Sequence, residues 1–280
     1  FACSSIPSMF KVMPNTMQNI IQNNKPANKL GFKLSKRLQQ IEAMITPQYD
    51  HIWDCCCDHG LLGFALLSGK ISGQTSQQGS FQASSTVHFV DIVPELMAKV
   101  QHKLERFYPN SSWKTYCLDV AKLPLRQQGK HLVIIAGVGG DLMLQFISAI
   151  VEQHKQLNID FLLCPVHHQF ALRQQLIALD FSLKDEVLIE ENQRFYEILL
   201  VSFLNEDKSE NPAEELSETK SKINPVGDKI WQTTSSKQRE IIDRYLHKTL
   251  SHYQRIQQGA QQNKVNDVQH IIDAYNAIAR

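Results

Sequence analysis

The sequence lacks the features that would indicate a membrane, secreted or zinc-binding protein. No uninterrupted apolar run approaches the roughly 18 residues of a membrane-spanning helix, and no apolar signal segment with a cleavage-like site lies near the start. The six cysteines include no Cys-x-x-Cys pair of the kind that holds zinc. These absences favour a cytoplasmic protein with reduced thiols, no membrane association and no bound metal.

A strong net charge is also absent. The 29 Lys and Arg residues nearly balance the 28 Asp and Glu residues, which leaves a formal charge of +1. Any argument for a polyanionic partner must therefore rest on local clusters of charge. A chain of 280 residues that is 42% hydrophobic is typical of one catalytic domain with a small appendage.

Composition divides the chain into four parts. Residues 1–28 are rich in Asn, Gln, Ser and Pro without periodicity, which predicts a disordered leader. Residues 29–204 alternate between strand-like and helix-like segments, and 205–228 form a predicted acidic linker. In 229–280, apolar residues recur at helical spacing in two runs separated by a Gln-Gln-Gly-Ala-Gln-Gln break at 257–262. This last part predicts a C-terminal helical hairpin.

The second part predicts an α/β fold. Short apolar runs, interpreted as parallel strands, lie at 51–57, 87–92, 113–118, 131–138 and 161–166. Segments of helical composition at 94–107, 141–154 and 167–179 lie between or after them, and 68–86 reads as a long loop. Runs at 184–189 and 195–203 follow too closely for a helical crossover, which predicts an antiparallel hairpin. A mostly parallel sheet with such a hairpin is typical of the class I methyltransferase, Rossmann-like fold.

Acidic residues follow three of the predicted strands, at the edge where doubly wound sheets bind ligands. Asp54 and Asp58 end the first strand, Asp91 the second and Asp119 the third. Cysteines replace the glycines of the dinucleotide fingerprint, which disfavours NAD and FAD. S-adenosylmethionine carries an ammonium and a sulfonium that carboxylates favour, and Asp91 and Asp119 can accept from ribose hydroxyls and an adenine amine. Turn-forming Asp is the alternative, and the joint placement favours the cofactor.

The fourth strand runs into Ala-Gly-Val-Gly-Gly at 136–140. Closely spaced glycines let the backbone approach a flat ligand or a reacting methyl group. A tight turn is the competing explanation, but such a turn needs about one glycine. We therefore favour close approach.

Basic residues cluster at two places. Lys33, Lys36 and Arg37 lie near the start of a helix that Ser35 is placed to cap, where positive charge opposes the helix dipole. The C-terminal helices also carry more basic than acidic residues, with interleaved tyrosines. RNA phosphate contact explains both clusters, and an ordinary solvated helix face remains open. The predicted RNA-binding residues are Lys33, Lys36, Arg37, Arg244 and Lys248.

Several motifs together resemble the bacterial tRNA (adenine-22-N1) methyltransferase family. They are Leu34-Ser35-Lys36-Arg37-Leu38, Asp54 followed by Asp58-His59, the glycine turn, Pro165, and Asp185-Glu186-Val187 with Tyr196-Glu197. The resemblance spans about residues 34–201, with a looser similarity in the C-terminal helices. It implies transfer of a methyl group from S-adenosylmethionine to N1 of an adenine in tRNA, with the C-terminal helices helping to hold the tRNA.

The resemblance also implies roles for individual residues. Those near the reacting groups are Asp58, Gly137 and Pro165. The cofactor site comprises Asp54, Cys56, Asp58, His59, Asp91, Ile92, Asp119, Val120, Ala136, Gly137 and Val138. No metal is expected, and the protein is expected to be a monomer or a weak homodimer.

Three residues depart from the family pattern. Cys56 stands where glycine is usual, Val138 where methionine is usual, and Val166 where asparagine is usual. An asparagine amide could hold the target base and valine cannot; His167 or His168 could substitute, or could merely be a helix cap or a surface feature. Two alternatives stay open: a catalytically inactive protein of the same fold that binds cofactor or RNA, and a methyltransferase for a small molecule or a protein.

Overall fold

A single mixed sheet forms the centre of the protein. The computed structural model describes residues 33–69, 85–204, 221–263 and 267–278. Its strands are β1 (His51–Cys55), β2 (Thr86–Asp91), β3 (Trp113–Cys117), β4 (His131–Ala136), β5 (Ile159–Cys164), β6 (Ser182–Glu191), β7 (Arg194–Phe203) and β8 (Ser221–Lys222). They lie in the order β3-β2-β1-β4-β5-β7-β6-β8, with β1 to β5 parallel and the last three antiparallel. The predicted class I methyltransferase architecture is confirmed.

Seven α-helices are described. They are α1 (Lys36–Ala43), α2 (Leu61–Leu67), α3 (Pro94–Phe107), α4 (Gly140–Gln153), α5 (Gln169–Ala178), α6 (Ser236–Asn263) and α7 (Gln269–Ile278). Ser35 caps α1, since its Oγ accepts from the Leu38 N–H at 3.3 Å. Pro94 occupies the first turn of α3, where its missing N–H is not needed. Both helix starts match the sequence prediction.

Alternate residues of each strand face opposite sides of the sheet and build two cores. On one side, Trp53, Val133 and Phe161 pack with residues of α4 and α5. On the other side, Ile52 and Phe89 belong to a cluster with residues of α1, α2 and α3. The sheet is therefore covered on both faces, which leaves the strand ends to carry polar side chains.

The predicted strands extend too far at their carboxyl ends. β1 ends at Cys55 rather than at residue 57, and β4 ends at Ala136 rather than at 138. The next residues have left-handed backbone, with φ of 56° at Cys56 and 87° at Gly137. A strand cannot continue through that conformation. Both turns therefore bend at the edge where a ligand is expected.

The C-terminal helical hairpin is confirmed, but its predicted break is wrong. α6 runs without interruption through the Gln-Gln-Gly-Ala-Gln-Gln segment at 257–262. Gln and Ala are good helix formers, and a single glycine costs only about 1 kcal/mol. α7 folds back on α6: Gln257 accepts from the Val268 N–H at 2.8 Å, and the Tyr253 and Tyr275 rings stack at 6.1 Å.

The structure describes only the last part of the range assigned to the acidic linker, 205–228. Residues 205–220 lie outside the described residues, as do the leader 1–28 and most of the long loop. Residues 221 and 222 pair with β6, and Val226 is buried. Ile230 and Trp231, a few residues before α6, are buried as well. The last part of the expected linker is therefore folded.

A buried ion cluster lies between α5 and the β6–β7 hairpin. The fully buried Arg173 places Nη2 2.7 Å from a carboxylate oxygen of Glu186 and 2.7 Å from one of Glu197. Burial alone would lower the pKa of Arg173, but the two carboxylates outweigh burial and raise it. The guanidinium is therefore held charged between two acids.

The same acids bind the C-terminal part of the chain. Tyr245 of α6 donates its hydroxyl hydrogen to Glu197. The other oxygen of Glu186 accepts from the backbone N–H groups of Asp228 and Lys229, at 2.6 and 2.7 Å. The cluster thus fixes the helical hairpin and the segment before it to the sheet.

Three histidines lie near the amino ends of β1, β2 and β4, opposite the expected ligand edge. His51 Nδ1 is 3.2 Å from His88 Nε2, and Trp53 donates to His131 Nδ1 at 3.1 Å. Burial, assisted by nearby His51, lowers the pKa of His88 to about 3 and that of His131 to about 4. Both rings are therefore neutral in the folded protein at neutral pH.

Acid should destabilise the protein through His88. The unfolded chain takes up this proton near the ordinary value of 6.5, whereas the folded chain resists it until about 3. Stability from this residue is thus lost as pH falls below about 6.5, by at most about 1.4 kcal/mol per pH unit. Urea titrations between pH 7 and 4.5 should show a smaller loss for His88→Phe than for wild type. His102→Phe, on exposed α3 surface, is the control; parallel wild-type and His88→Phe curves would refute the assignment.

Candidate active site

Asp54 is the buried acid of the site. It lies at the carboxyl end of β1, is only 5% exposed, and accepts from the Gly63 N–H at 3.0 Å. Burial raises its pKa to about 7, and nearby Asp91 acts in the same direction. Asp54 is therefore poised between its neutral and ionised forms near neutral pH.

Asp91 connects the loops that follow β1 and β2. One oxygen accepts from the Asp58 N–H and the other from the Val93 N–H, each at 3.0 Å. Each oxygen retains accepting capacity for a further donor such as a ribose hydroxyl. The next residue, Ile92, is 66% exposed. Acceptor oxygens and an apolar surface therefore adjoin at this strand end.

The other predicted residues after β1 and β3 differ in accessibility. Asp58 and His59 are exposed, and their side chains approach to 3.6 Å. Asp119 accepts from the Ala121 N–H at 3.0 Å, so the turn interpretation also explains this acid. Val120 is buried in the core, so its side chain is not accessible to a ligand.

Cys56 adopts left-handed backbone, with φ of 56°. Such a conformation costs a residue with a Cβ about 1–2 kcal/mol and costs glycine nothing comparable. Burial raises the pKa of the thiol to about 12, so it stays protonated. Glycine would adopt this turn conformation without that strain.

Substitutions at Cys56 should follow this backbone requirement. We expect Cys56→Gly to be more stable than Cys56→Val by at least about 1 kcal/mol, because a β-branched residue is strained at positive φ. Thermal and urea unfolding measure the difference. The same pair at exposed Cys117, the last residue of β3, should show the reverse order, since strands favour valine. The same order of stability for the Gly and Val variants at both positions would contradict the interpretation.

The glycines after β4 divide into two groups. A Cβ at Gly139 would lie 2.2 Å from the His167 ring, and one at Gly140 would lie 2.8 Å from the His168 carbonyl oxygen. These two glycines serve close packing against the loop after β5. Gly137 has φ of 87°, and among the described residues only Arg37 lies within 4 Å of its Cβ position. Close approach by a ligand thus remains an explanation for Gly137 alone.

The loop after β5 borders the glycine turn. The Val166 N–H donates to the Val138 carbonyl at 3.0 Å, while Pro165 is buried and Val166 is 40% exposed. Val138 and Ala136 are partly buried, and Val138 packs against the core. Val166 therefore presents an apolar surface beside the glycine turn.

His168 precedes α5 but makes no side-chain capping bond. Its Nδ1 lies 2.6 Å from a carboxylate oxygen of Asp141, in the first turn of α4, and both side chains are exposed. His168 therefore occupies the N-cap position of α5 without a side-chain capping bond, and its exposed ring fits the alternative of a surface feature. No local pattern connects Asp141 with His168, because only the fold brings the two side chains together.

Arg37 faces the candidate site. Its guanidinium carbon is 5.1 Å from the ring centre of Tyr196, and Nη1 lies 3.8 Å from the Cβ position of Gly137. Lys33 and Lys36, by contrast, are exposed. Tyr196 lies in a local sequence motif, whereas the contact of its ring with Arg37 joins segments far apart in the chain.

Predicted RNA-binding residues of α6 and of α1 both contact the β6–β7 turn. Arg244 pairs with Glu190, and Lys248 donates to the Gln193 carbonyl at 3.2 Å. On the α1 side, the Lys36 N–H donates to Glu191 at 2.5 Å. Because β7 runs antiparallel to β5, this turn lies at the carboxyl edge of the parallel strands. Basic residues from both ends of the chain thus adjoin the candidate site.

Within the described ranges, no three His, Cys, Asp or Glu side chains are grouped as metal ligands would be. Nor does that part of the chain contain a helix both long and apolar enough to cross a membrane. The five cysteines described, Cys55, Cys56, Cys57, Cys117 and Cys164, are free thiols.

Several solved structures are similar to this chain over most of its length. B. subtilis TrmK, an M1A22 tRNA methyltransferase, is 19% identical and has a TM-score of 0.62, covering 89% of this chain and 99% of its own. M. capricolum TrmK with S-adenosyl-homocysteine is 18% identical, with a TM-score of 0.59 and coverage of 89% and 96%. Streptococcus pneumoniae Sp1610, a putative tRNA (m1A22) methyltransferase in complex with S-adenosyl-L-methionine, is 16% identical, with a TM-score of 0.59 and coverage of 89% and 100%.

The sequence itself gives one family match. A search of the curated proteins finds no match. The family model for a methyltransferase domain matches residues 34–199, more than half of the chain. This range contains every element of the sheet from β1 to β5 and the whole candidate site. The chain belongs to the methyltransferase domain family.

Proposed function

We propose that this protein transfers a methyl group from S-adenosylmethionine to N1 of adenine 22 in tRNA, in the cytoplasm. The observation that carries the proposal is the joint placement of Asp54, Asp91 and the open Gly137 at one edge of the sheet. The three similar solved structures, named as tRNA methyltransferases or as a putative one, support the same assignment.

The strand-end residues fit the chemistry of the cofactor, which supplies an electrophilic methyl group. Asp54 offers a buried carboxylate for a cationic group, and Asp91 offers oxygens for ribose hydroxyls. Exposed Ile92 offers an apolar surface for a flat base. We propose that His59, Cys56, Asp119, Ala136 and Val138 complete the surroundings, and that Val120 contributes only backbone.

Methylation of the acceptor nitrogen does not require a general base. N1 of neutral adenine already carries a lone pair, so positioning matters more than proton removal. We propose that Asp58 and Gly137 border the acceptor position and that buried Pro165 shapes the loop beside it. Lys33, Lys36, Arg244 and Lys248 would contact tRNA phosphates around the β6–β7 turn.

Methyl mapping on tRNA tests the proposal. Purified protein is incubated with labelled S-adenosylmethionine and tRNA transcripts carrying A or G at position 22, and nuclease digests are read by mass spectrometry. We expect 1-methyladenosine at position 22 and no label in the G22 transcript. Label elsewhere in tRNA, or only in protein or small molecules, would refute the substrate.

A second candidate is a cofactor-binding protein that does not transfer methyl groups. The exposed apolar Val166, where the related family has asparagine, favours it. Calorimetry measures cofactor binding, and the labelled-tRNA assay measures transfer. Cofactor binding without transfer to any tRNA would support the second candidate.

A further inference from the structure

We propose that His168, held in place by Asp141, accepts a hydrogen bond from the exocyclic amine of the target adenine and so selects adenine as the methyl acceptor. The inference rests on the proposed function and deepens it, because it names the group that recognises the base. Val166, earlier in the same loop, offers a base only an apolar side chain. A polar side-chain contact from this loop must therefore come from another residue.

The loop after β5 holds His168 against the glycine turn. The Gly140 N–H donates to the His167 carbonyl at 3.0 Å. A Cβ at Gly140 would lie 2.8 Å from the carbonyl oxygen of His168 and 3.3 Å from its Cβ. Gly140 is three residues from the open Gly137, so their Cα atoms lie within about 11 Å of each other. The absence of a side chain at Gly140 therefore lets His168 approach the position proposed for the acceptor base.

Asp141 determines which nitrogen of His168 is available to a ligand. Nδ1 of His168 lies 2.6 Å from a carboxylate oxygen of Asp141. An ionised carboxylate only accepts, so the proton lies on Nδ1, and the neutral ring presents Nε2 as an acceptor. Among the described residues, Nε2 has no hydrogen-bond partner. His168 thus offers one oriented acceptor that the rest of the described chain does not use.

The stability of the fold does not account for this pair. His168 has left-handed backbone, with φ of 62°, which is unfavourable for a residue with a Cβ. The side chains of His168 and Asp141 are 55% and 66% exposed, and a contact between exposed side chains contributes little to folding. An unfavourable backbone conformation beside a ligand-binding edge is typical of functional sites.

Adenine fits the free acceptor, and guanine does not. The amine next to N1 of adenine donates, whereas the corresponding oxygen of guanine is an acceptor that would repel the Nε2 lone pair. Leu142 follows Asp141 and is 42% exposed, and Val166 is 40% exposed. Apolar side chains of this kind pack against the flat faces of a base that has left its stack. The four side chains therefore combine an edge contact with apolar surface.

The same hydrogen bond strengthens as the methyl group is transferred. The bond between the methyl carbon and sulfur breaks with its electron pair left on sulfur, while the N1 lone pair forms the new carbon–nitrogen bond. The positive charge moves from the sulfonium to the adenine, where N1 and the exocyclic amine share it. The amine becomes a stronger donor to His168, and the Asp141 carboxylate behind the ring favours the new charge.

Methyl transfer to a base without the amine tests the proposal. Single-turnover and steady-state assays use tRNAs assembled with adenine or with unsubstituted purine at position 22. His168→Phe should lower kcat/KM for the adenine tRNA about tenfold to a hundredfold, the effect of a lost hydrogen bond to a developing charge. It should change the value for the purine tRNA by less than about threefold, because the partner of His168 is already missing there.

Three further variants separate the roles of the two side chains. His168→Gln keeps an acceptor oxygen and should fall between wild type and His168→Phe on the adenine tRNA. Asp141→Asn can donate to Nδ1 and so place the proton on Nε2, which should also lower transfer to adenine. His102→Phe, on exposed α3 surface, is the control and should leave transfer to both tRNAs unchanged.

Several outcomes would overturn the inference. Equal losses on both tRNAs would mean that His168 acts through the fold, which thermal unfolding of the variants checks. Full activity of His168→Phe on the adenine tRNA, or no gain from His168→Gln over His168→Phe, would make the pair a surface feature. Weaker cofactor binding by His168→Phe in calorimetry would place the pair in the cofactor site instead. If wild type methylates no adenine-22 tRNA, the proposed function itself fails; if it methylates adenine and purine tRNAs alike, only the role of His168 fails.

Discussion

Replacing Arg173 with methionine is expected to lower the free energy of unfolding by about 3–5 kcal/mol, the cost of leaving buried charges without their partner. The substitution keeps a long side chain but leaves Glu186 and Glu197 facing each other without a cation. Because Glu197 also accepts from Tyr245, the loss should loosen the contact between α6 and the sheet. Urea unfolding followed by circular dichroism measures the change.

Two variants test the cause of that loss. Lys155→Met breaks an exposed ion pair of 2.6 Å with Glu152, and should cost less than about 1 kcal/mol. Adding Glu197→Gln to Arg173→Met should recover part of the lost stability, because one uncompensated charge is removed. If Arg173→Met costs no more than Lys155→Met, the ion cluster does not hold the C-terminal hairpin.

Replacing Asp54 with asparagine is expected to weaken S-adenosylmethionine binding roughly tenfold to a hundredfold. Asparagine retains an oxygen that can accept from the Gly63 N–H, so the turn should persist while the charge is lost. A cationic ligand favours the ionised carboxylate, so wild-type affinity should rise with pH through about 7, the pKa of Asp54. The Asp54→Asn variant should lack this rise. Calorimetry between pH 6 and 8 measures both effects.

The control for Asp54 is the same change at Asp50, just before the opposite end of β1. Asp50 accepts from the Lys130 N–H at 2.7 Å, far from the carboxyl edge. Asp50→Asn should leave cofactor affinity and its pH dependence unchanged. A pH dependence that survives in Asp54→Asn would assign the titration to another group.

Asp54 and His88 should affect the stability of the cofactor-free protein in opposite directions. The folded pKa of Asp54, about 7, lies above its ordinary value of 3.8, so the folded chain keeps a proton that the unfolded chain has lost. The contribution of Asp54 to the free energy of unfolding therefore falls as pH rises from about 4 to 7. The contribution of His88 rises over most of that window. Comparison of each variant with wild type separates the two contributions.

The sequence predicted the order of elements because each element has a local cause. Apolar runs, the Ser35 cap and Pro94 act within a few residues, and a parallel sheet follows from their alternation. Acids at the ends of adjacent strands must share an edge, so Asp54 and Asp91 could be assigned to one site before their contacts were known. The long α6 shows the limit of local rules, because the glycine in its predicted break costs less than the helix gains.

Contacts between distant segments required the tertiary structure. The sequence placed the glycines after β4 in one motif, but only packing shows that Gly139 and Gly140 serve the neighbouring loop while Gly137 stays open. Likewise, a list of basic residues does not separate Arg37, which faces the site, from exposed Lys36.

The sequence by itself determined the fold class, the methyltransferase family pattern and the acidic strand ends, because these depend on periodicity and on residues close in the chain. The tertiary structure decided which polar groups are buried and with which partner. Burial gives Asp54 its raised pKa, and contact with Glu186 and Glu197 keeps Arg173 charged. Both effects depend on the removal of water by segments far apart in sequence, which no local pattern encodes.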